Sequence, residues 1–257
     1  DISIVINVTE GERYVVTGVR LEGDYLGKEE EFKTLVRIKP GALGRVGVYL
    51  ARMRVAQVAL LTSEGLPRAI VEAIDESLSR LDIDYVDMVL IHWPAPAQDK
   101  FVETWAAFQH AVESGKVRGI GVSNFHSMHL DKLLAAGGTV PALNQIELHP
   151  GLQQGALRSY DSAHGIATEA WSPIARGRFN EDEAIVRIAQ KHGKTPTQVI
   201  IRWHIELGNL VIPKTATPAR LIENISVFDF SLNAEDMAAI ANLDSGLRTG
   251  PNPEEFN

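Results

Sequence analysis

From Leu66 onward the apolar residues change spacing repeatedly, from the helical period to short continuous runs and back. This alternation constrains the fold more than any other feature of the chain. Leu66 to Leu81 places Ile70, Ile74, Leu78 and Leu81 at helical spacing. Val86 to Ile91 is a short apolar-rich run, the mark of a strand buried on both faces. Phe101 to Ser114 is helical again, with Gly115 placed to end it. Further strands are expected at Val117–Val122, Ala142–Leu148, Ile166–Trp171 and Leu210–Ile212. Between and after them come helices at His126–Ala136, Gln153–His164, Glu181–His192, Pro196–Glu206, Pro218–Asn224 and Asn233–Leu243. Gly137-Gly138 and Gly165 act as stops, and Asn233 is an N-cap with Asp236 in the first turn.

Strands alternating with helices predict parallel β-α units. This region supplies about five strands, whereas a closed barrel of this type needs eight and tolerates no open edge. The fold class is therefore α/β, of (β/α)8 TIM-barrel type, either incomplete or completed by a non-homologous N-terminal segment. The first 65 residues follow another pattern. Ile2 to Val8 alternates weakly, Glu10-Gly11-Glu12 is a turn, and Tyr14 to Leu21 alternates like an antiparallel strand with one wet face. Lys28 to Val36 reads as a short charged helix, broken by Lys39-Pro40-Gly41. Arg45 to Leu61 reads as a helix, or its last part, Val55 to Leu61, as a strand. The composition shifts near Ser63-Glu64-Gly65, which sets expected segments of 1–65 and 66–257. Tyr14–Leu21 and Val55–Leu61 are the candidate substitute strands for a barrel.

Composition narrows the function. A net charge of −8 argues against a general nucleic-acid-binding surface. The absence of cysteine excludes thiol catalysis, thiolate metal sites and disulfides. No stretch approaches the roughly 18 consecutive apolar residues of a membrane span. Asp1 to Asn7 lacks the basic and apolar regions of a signal peptide.

Five segments stand just past expected strand ends, on the face where parallel barrels build their sites. They are Leu90-Ile91-His92-Trp93-Pro94, Gly121-Val122-Ser123-Asn124-Phe125, Asn144-Gln145-Ile146-Glu147-Leu148-His149-Pro150, Glu169-Ala170-Trp171-Ser172-Pro173 and Val211-Ile212-Pro213-Lys214-Thr215. Each ends a strand with a polar or aromatic residue, so together they converge on one rim. No Gly-x-Gly-x-x-Gly competes with this reading. The histidines lack metal-ligand spacing in company with carboxylates, and no metal is expected.

In this order and spacing the segments resemble the aldo-keto reductases, most closely the bacterial group that reduces diketo sugar acids and similar small carbonyls. The resemblance runs from about Leu66 to Pro253. Its tail, Pro218-Ala219-Arg220-Leu221-Ile222-Glu223-Asn224 followed by Val227-Phe228-Asp229-Phe230, is highly specific. It implies NADP(H) as cofactor and His92 as the catalytic residue that contacts the substrate carbonyl. Ser123, Asn124 and Gln145 match residues that hydrogen-bond the nicotinamide carboxamide. Trp171, with Ser172 beside it, matches the aromatic that stacks on the nicotinamide ring. Lys214, Thr215 and Arg220 match the group that holds the 2′-phosphate, and Glu223 and Asn224 match the adenine contacts. Each residue also has a plainer use: His92 and Trp171 in packing, Ser123-Asn124 in a turn, Arg220 and Glu223 on a surface helix.

The family's acid is a tyrosine, assisted by an aspartate and a lysine, all ahead of Leu66. Asp24-Tyr25 is a faint echo of that tyrosine segment, and Leu60-Leu61-Thr62 stands where a lysine is expected. Residues 1–65 instead resemble a POTRA repeat of outer-membrane barrel-assembly proteins, through Ile6–Tyr14, Thr17–Gly23 and Ile38–Gly41. Three functions follow: an NADP(H)-dependent reductase of small aldehydes, ketones or keto sugars, a cofactor-binding but catalytically weak chimera, or a scaffold module pairing with client strands. The reductase reading implies a small carbonyl substrate, no nucleic-acid partner and a cytoplasmic monomer.

Overall fold

Val86–Ile91 is buried along its length except for half-buried Asp87, as a strand covered on both faces must be. It lies in a parallel sheet of a computed structural model that describes residues 2–9, 15–23, 55–58, 66–215 and 217–256. The chain divides into two compact units, Asp1–Arg54 and Val55–Asn257.

In the first unit, β1 (Ile2–Thr9) and β2 (Val15–Gly23) form a two-stranded antiparallel sheet, with a register shift between Asn7 and Val8. The expected antiparallel strand is thus present, but β2 pairs with β1 rather than joining the parallel sheet. The expected turn at Glu10–Glu12, the helix at Lys28–Val36, the break at Lys39–Gly41, the Asp24-Tyr25 echo and Leu60–Thr62 lie outside the described residues.

Among the described residues the second unit holds six parallel strands: β3 (Val55–Val58), β4 (Val86–Ile91), β5 (Val117–Ser123), β6 (Leu143–Glu147), β7 (Ala167–Trp171) and β8 (Leu210–Val211). They are hydrogen-bonded in chain order, β3-β4-β5-β6-β7-β8. Of the two readings of Arg45–Leu61, its last part is the strand: Val55–Val58 pairs with Met88–Ile91. The sheet thus begins ahead of the composition shift at Ser63–Gly65.

The helices are α1 (Leu66–Leu81), α2 (Phe101–Glu113), α3 (Ser127–Ala136), α4 (Gly155–Ala163), α5 (Glu183–His192), α6 (Pro196–Glu206), α7 (Pro218–Ile225) and α8 (Ala234–Ala241). Helix α1 buries Ile70, Ile74 and Leu78, as its spacing predicts, but Leu81 in its last turn is 51% exposed. Helix α2 buries Phe101, Thr104, Trp105, Phe108 and Ala111, one stripe at helical spacing, against the sheet. Gly115 at φ 75° ends that segment in the left-handed region that glycine enters without strain. Helix α6 opens on a capping box, Thr195 with Gln198, and has Pro196 in its first turn. Asn233 and Asp236 make the same box for α8.

The register sets the site. Ser123 pairs with Gln145, Gln145 with Glu169, and Glu169 with Leu210. Ile91 pairs with Val122, and Glu147 with Trp171. Parallel strands in this register bring the residues after Ile91, Ser123, Trp171 and Val211 out at one end of the sheet.

Candidate active site

His92 is the first residue past β4. Its imidazole is half-buried, and that burial lowers its pKa below the ordinary histidine value. It is therefore neutral at pH 7 and carries one ring N–H as a hydrogen-bond donor. The ring makes a tilted contact with Trp93, with centroids 6.0 Å apart.

Asn124 is the hub of the rim. It follows β5 with φ at 63°, a left-handed conformation that Asn adopts more readily than most residues. Its backbone N–H donates to Gln145 O at 2.9 Å, which holds the turn onto β6. The Asn124 side-chain Nδ2 donates to His92 O at 2.9 Å and to Ser123 Oγ at 3.1 Å. Its Oδ1 accepts from Trp171 Nε1 at 2.7 Å. One buried amide thus ties the ends of β4, β5 and β7 together. Below it, Ser123 Oγ donates to Gln145 O at 2.9 Å, and Gln145 Nε2 donates to Glu169 Oε1 at 2.5 Å. Burial raises the pKa of Glu169, and the bond from Gln145 partly offsets this.

A second buried network holds the following residue. Asn144 Nδ2 donates to Phe125 O at 2.9 Å, and Asn144 Oδ1 accepts from Phe125 N at 3.4 Å. Asp161 accepts from Asn144 at 3.4 Å and from Thr168 Oγ1 at 3.1 Å. Burial pushes the Asp161 carboxyl up to about 7, although those two bonds and nearby His164 pull the other way.

Trp171 ends β7 half-buried, and Ser172 after it has φ at 48°. Positive-φ non-glycine residues after two strands of one sheet, Asn124 after β5 and Ser172 after β7, persist only where surrounding bonds over-determine them. The sequence-predicted group of His92, Ser123, Asn124, Gln145 and Trp171 is therefore one bonded cluster.

The other predicted group is built differently. Ile212 N donates to Ala170 O at 3.4 Å, which starts the loop after β8 at the same end of the sheet as Trp171. Along that loop Lys214 is exposed and Thr215 half-buried, and Thr215 Oγ1 accepts from Thr217 N at 3.1 Å. Arg220 is exposed in the first turn of α7, with Pro218 at the helix start. Among the described residues neither Lys214 nor Arg220 has an ion-pair partner, so both cations near this helix N-terminus are open to an anion. Glu223 is engaged elsewhere: its Oε1 accepts from Thr195 Oγ1 at 2.6 Å, which ties α7 to the start of α6. Asn224 lies half-buried beside it.

The donors fit a dinucleotide phosphate. The second Nε2 hydrogen of Gln145 and the remaining lone pair of Asn124 Oδ1 provide the donor and acceptor that a carboxamide needs. Lys214, Arg220 and the α7 N-terminus suit a phosphate. Of the described tyrosines, Tyr85 stands at the opposite end of β4 under the guanidinium of Arg118, and Tyr160 donates to Asp131 at 2.5 Å. Neither is placed to act beside His92.

Three elements of this rim are absent from the sequence-derived set. Glu147, at the end of β6, is buried and accepts from Thr249 N at 2.6 Å and Thr249 Oγ1 at 2.5 Å. Gly250 lies against the Trp171 ring, and Phe256 stacks on Trp93 at 4.2 Å. Glu147 was within sight in the Asn144–Pro150 segment, but nothing in a sequence says that the chain's last residues return to it.

A sequence model of the aldo/keto reductase family matches residues 54–245. An aldo-keto reductase of Mycobacterium sp. (strain KMS) is 46% identical over 231 residues, 90% of this chain and 81% of that protein. Methylglyoxal reductase DkgA of Yersinia pestis is 50% identical over 187 residues, 72% of this chain and 68% of its own length. Among solved structures, a variant of Gox0644 in complex with NADPH is 46% identical, with a TM-score of 0.74, covering 79% of this chain and 74% of that one. The chain belongs to the aldo/keto reductase family, and its fold is of the (β/α)8-barrel class. Nothing in these comparisons supports the POTRA resemblance of residues 1–65. The 231-residue alignment is too long to fit within residues 66–257, so the reductase likeness reaches into the first segment. An antiparallel hairpin is common to many folds, which is why its alternation misdirects there. No helix among the described residues is long and apolar enough to cross a membrane.

Proposed function

We propose that this protein reduces small aldehydes, ketones or keto sugars with NADPH. The observation that carries the reading is the Asn124 amide, which joins the backbone of His92 to the indole of Trp171. This bond sets a carbonyl-polarising imidazole and a stacking surface at fixed separation. NADPH supplies the hydride. Ser123, Asn124 and Gln145 orient the carboxamide, Trp171 with Ser172 beside it covers one face of the nicotinamide, and Lys214, Thr215 and Arg220 hold the ribose phosphate. Glu223 and Asn224 border the adenine. The neutral His92 donates its N–H to the substrate oxygen, where negative charge develops as hydride arrives. The name of the Yersinia pestis relative supports methylglyoxal as a first substrate to try, and the NADPH complex of the Gox0644 variant supports the cofactor.

The experiment is NADPH oxidation by the full chain with methylglyoxal, alongside titration of NADPH and NADH. Tighter binding of NADPH than of NADH, together with turnover, supports the reading; no response to either cofactor rejects it. A second reading is that the chain binds NADPH but turns over weakly. It is favoured by the engagement of both described tyrosines elsewhere, and loss of a positioned acid costs about 10²–10⁴-fold. Tyr25→Phe separates the two: a fall of that size makes Tyr25 the acid, and no change leaves the weak reading standing.

A further inference from the structure

Trp171 is fixed at more points than Asn124 alone provides. Its backbone O accepts from Leu148 N at 3.3 Å, next to Glu147, with which Trp171 pairs in the sheet. Its Nε1 is held by Asn124. The opposite, six-membered edge of the indole meets Gly250: a Cβ built on that residue would stand 2.4 Å from Cη2, 3.2 Å from Cζ3 and 3.4 Å from Cζ2. Only a glycine lets the backbone come so close to the ring.

Gly250 does not hold that place by itself. Its N–H donates to Glu147 Oε1 at 3.2 Å and Oε2 at 3.3 Å. Both the amide and the hydroxyl of Thr249 donate to Glu147 Oε1, and His149 Nε2 lies 3.3 Å from the same oxygen. Arg248 Nη1 is 3.7 Å from Oε2. Burial alone would raise the pKa of this carboxyl, but the bonds from His149 and Thr249 bring it down to about 2. Glu147 is therefore ionised at neutral pH, and a carboxylate is the side chain with enough acceptor sites for so many donors. Glutamine has one fewer acceptor oxygen and brings hydrogens where donors already point.

We infer that Glu147, acting through the Arg248–Gly250 segment it grips, is a positioning residue that sets the plane of Trp171. The inference rests on the proposed role of Trp171 at the nicotinamide. A ring held by Asn124 at one edge and by Gly250 at the other has no freedom to tilt about its Nε1 bond. Release of the segment restores that freedom.

The test uses the full chain and begins without cofactor. The emission spectrum of wild type minus that of Trp171→Phe isolates the fluorescence of this indole from the other tryptophans. Gly250→Ala and Glu147→Gln are expected to shift that difference spectrum and increase its quenching by acrylamide. Gly250→Ala should also lower kcat by on the order of 10–10²-fold, with a smaller change in KM for the carbonyl, since a misplacement of about 1 Å carries a cost of that size. In the double variant Gly250→Ala/Trp171→Phe the shorter ring accepts the new methyl, and turnover should return to the Trp171→Phe level. The inference is overturned if Gly250→Ala leaves both emission and turnover at wild-type values. It is equally overturned if Gly250→Ala lowers turnover in the Trp171→Phe background by the same factor as in wild type. If Trp171→Phe itself binds NADPH and turns over like wild type, the proposed role of Trp171 fails instead. The emission shift in the cofactor-free protein still decides whether Glu147 and Gly250 set the ring.

Discussion

The two ends of the candidate cofactor site are built in opposite ways. Around Asn124 nearly every polar group is already bonded to its neighbours, and the cluster is buried or half-buried. Around α7, Lys214 and Arg220 stand exposed, with no ion-pair partner among the described residues. The first end has its geometry before any ligand arrives, as chemistry requires, because hydride transfer depends on angle and distance. The second end holds charge in reserve, as recognition requires, because a phosphate supplies the partner that orders the side chains. In the proposed reading the first end sets rate and the second sets affinity.

The largest effect expected is at the open end. Lys214→Ala/Arg220→Ala should weaken NADPH binding about 10²-fold, roughly 3 kcal/mol from two charge-assisted contacts. NADH binding and melting temperature should hardly change, and titration of both cofactors checks this. An equal loss for NADH would break the contrast, because the cations would then not be reading the phosphate. At the closed end, Asn124→Ala removes the partner of His92 O and Trp171 Nε1 and leaves Ser123 Oγ with its bond to Gln145 O alone. A stability loss of about 1–3 kcal/mol is expected, with kcat falling more than NADPH affinity. Denaturant unfolding together with steady-state kinetics measures both. The proton-linked prediction concerns Asp161, which backs the closed end through Asn144. Its folded pKa, about 7, stands above the ordinary value of 3.8. The folded state therefore keeps a proton that the unfolded state has released, and the linked stability is present below about pH 4 and lost as pH rises through 7. The slope for one proton is at most about 1.4 kcal/mol per pH unit. Asp161→Asn should flatten the stability profile between pH 4 and 7. Glu147 has the opposite sign: its folded pKa of about 2 lies below 4.5, so its contribution is present above pH 4.5 and disappears on acidification toward 2. The smallest effect is expected for Thr195→Ala, which removes the α6 cap and the bond to Glu223. It should cost about 1 kcal/mol and, with α7 loosened, shift NADPH affinity slightly.

Strand and helix periods made the second unit readable from Leu66 onward. Val86–Ile91, Leu66–Leu81 and Pro196–Glu206 lie where their apolar spacing, caps and turn residues put them. The residues of the closed end were also legible, because Ser123, Asn124, Gln145 and Trp171 are polar or aromatic side chains in or just past the ends of short apolar strands. Glu147 and Gly250 were not. They are separated by about a hundred positions, and their contact depends on where the chain's tail goes after α8, which no local pattern encodes. Leu81 shows the converse: its spacing is right, yet it lies in the last turn of α1 and remains exposed. The alternation of Tyr14–Leu21 identified an antiparallel strand but not its lineage, because a hairpin's pattern is shared by unrelated folds.

The six parallel strands pair in the order in which they occur along the chain. During synthesis, each of β4 to β8 therefore meets a partner that has already left the ribosome, with one described α-helix between successive strands up to β7 and two, α5 and α6, before β8. Contacts of that kind are local, and local contacts make for fast assembly and brief exposure of sticky edges. The bond from Thr249 to Glu147 is of another kind, since it joins residues about a hundred positions apart. The plane of the Trp171 ring thus depends on a segment that emerges long after the strand it clasps.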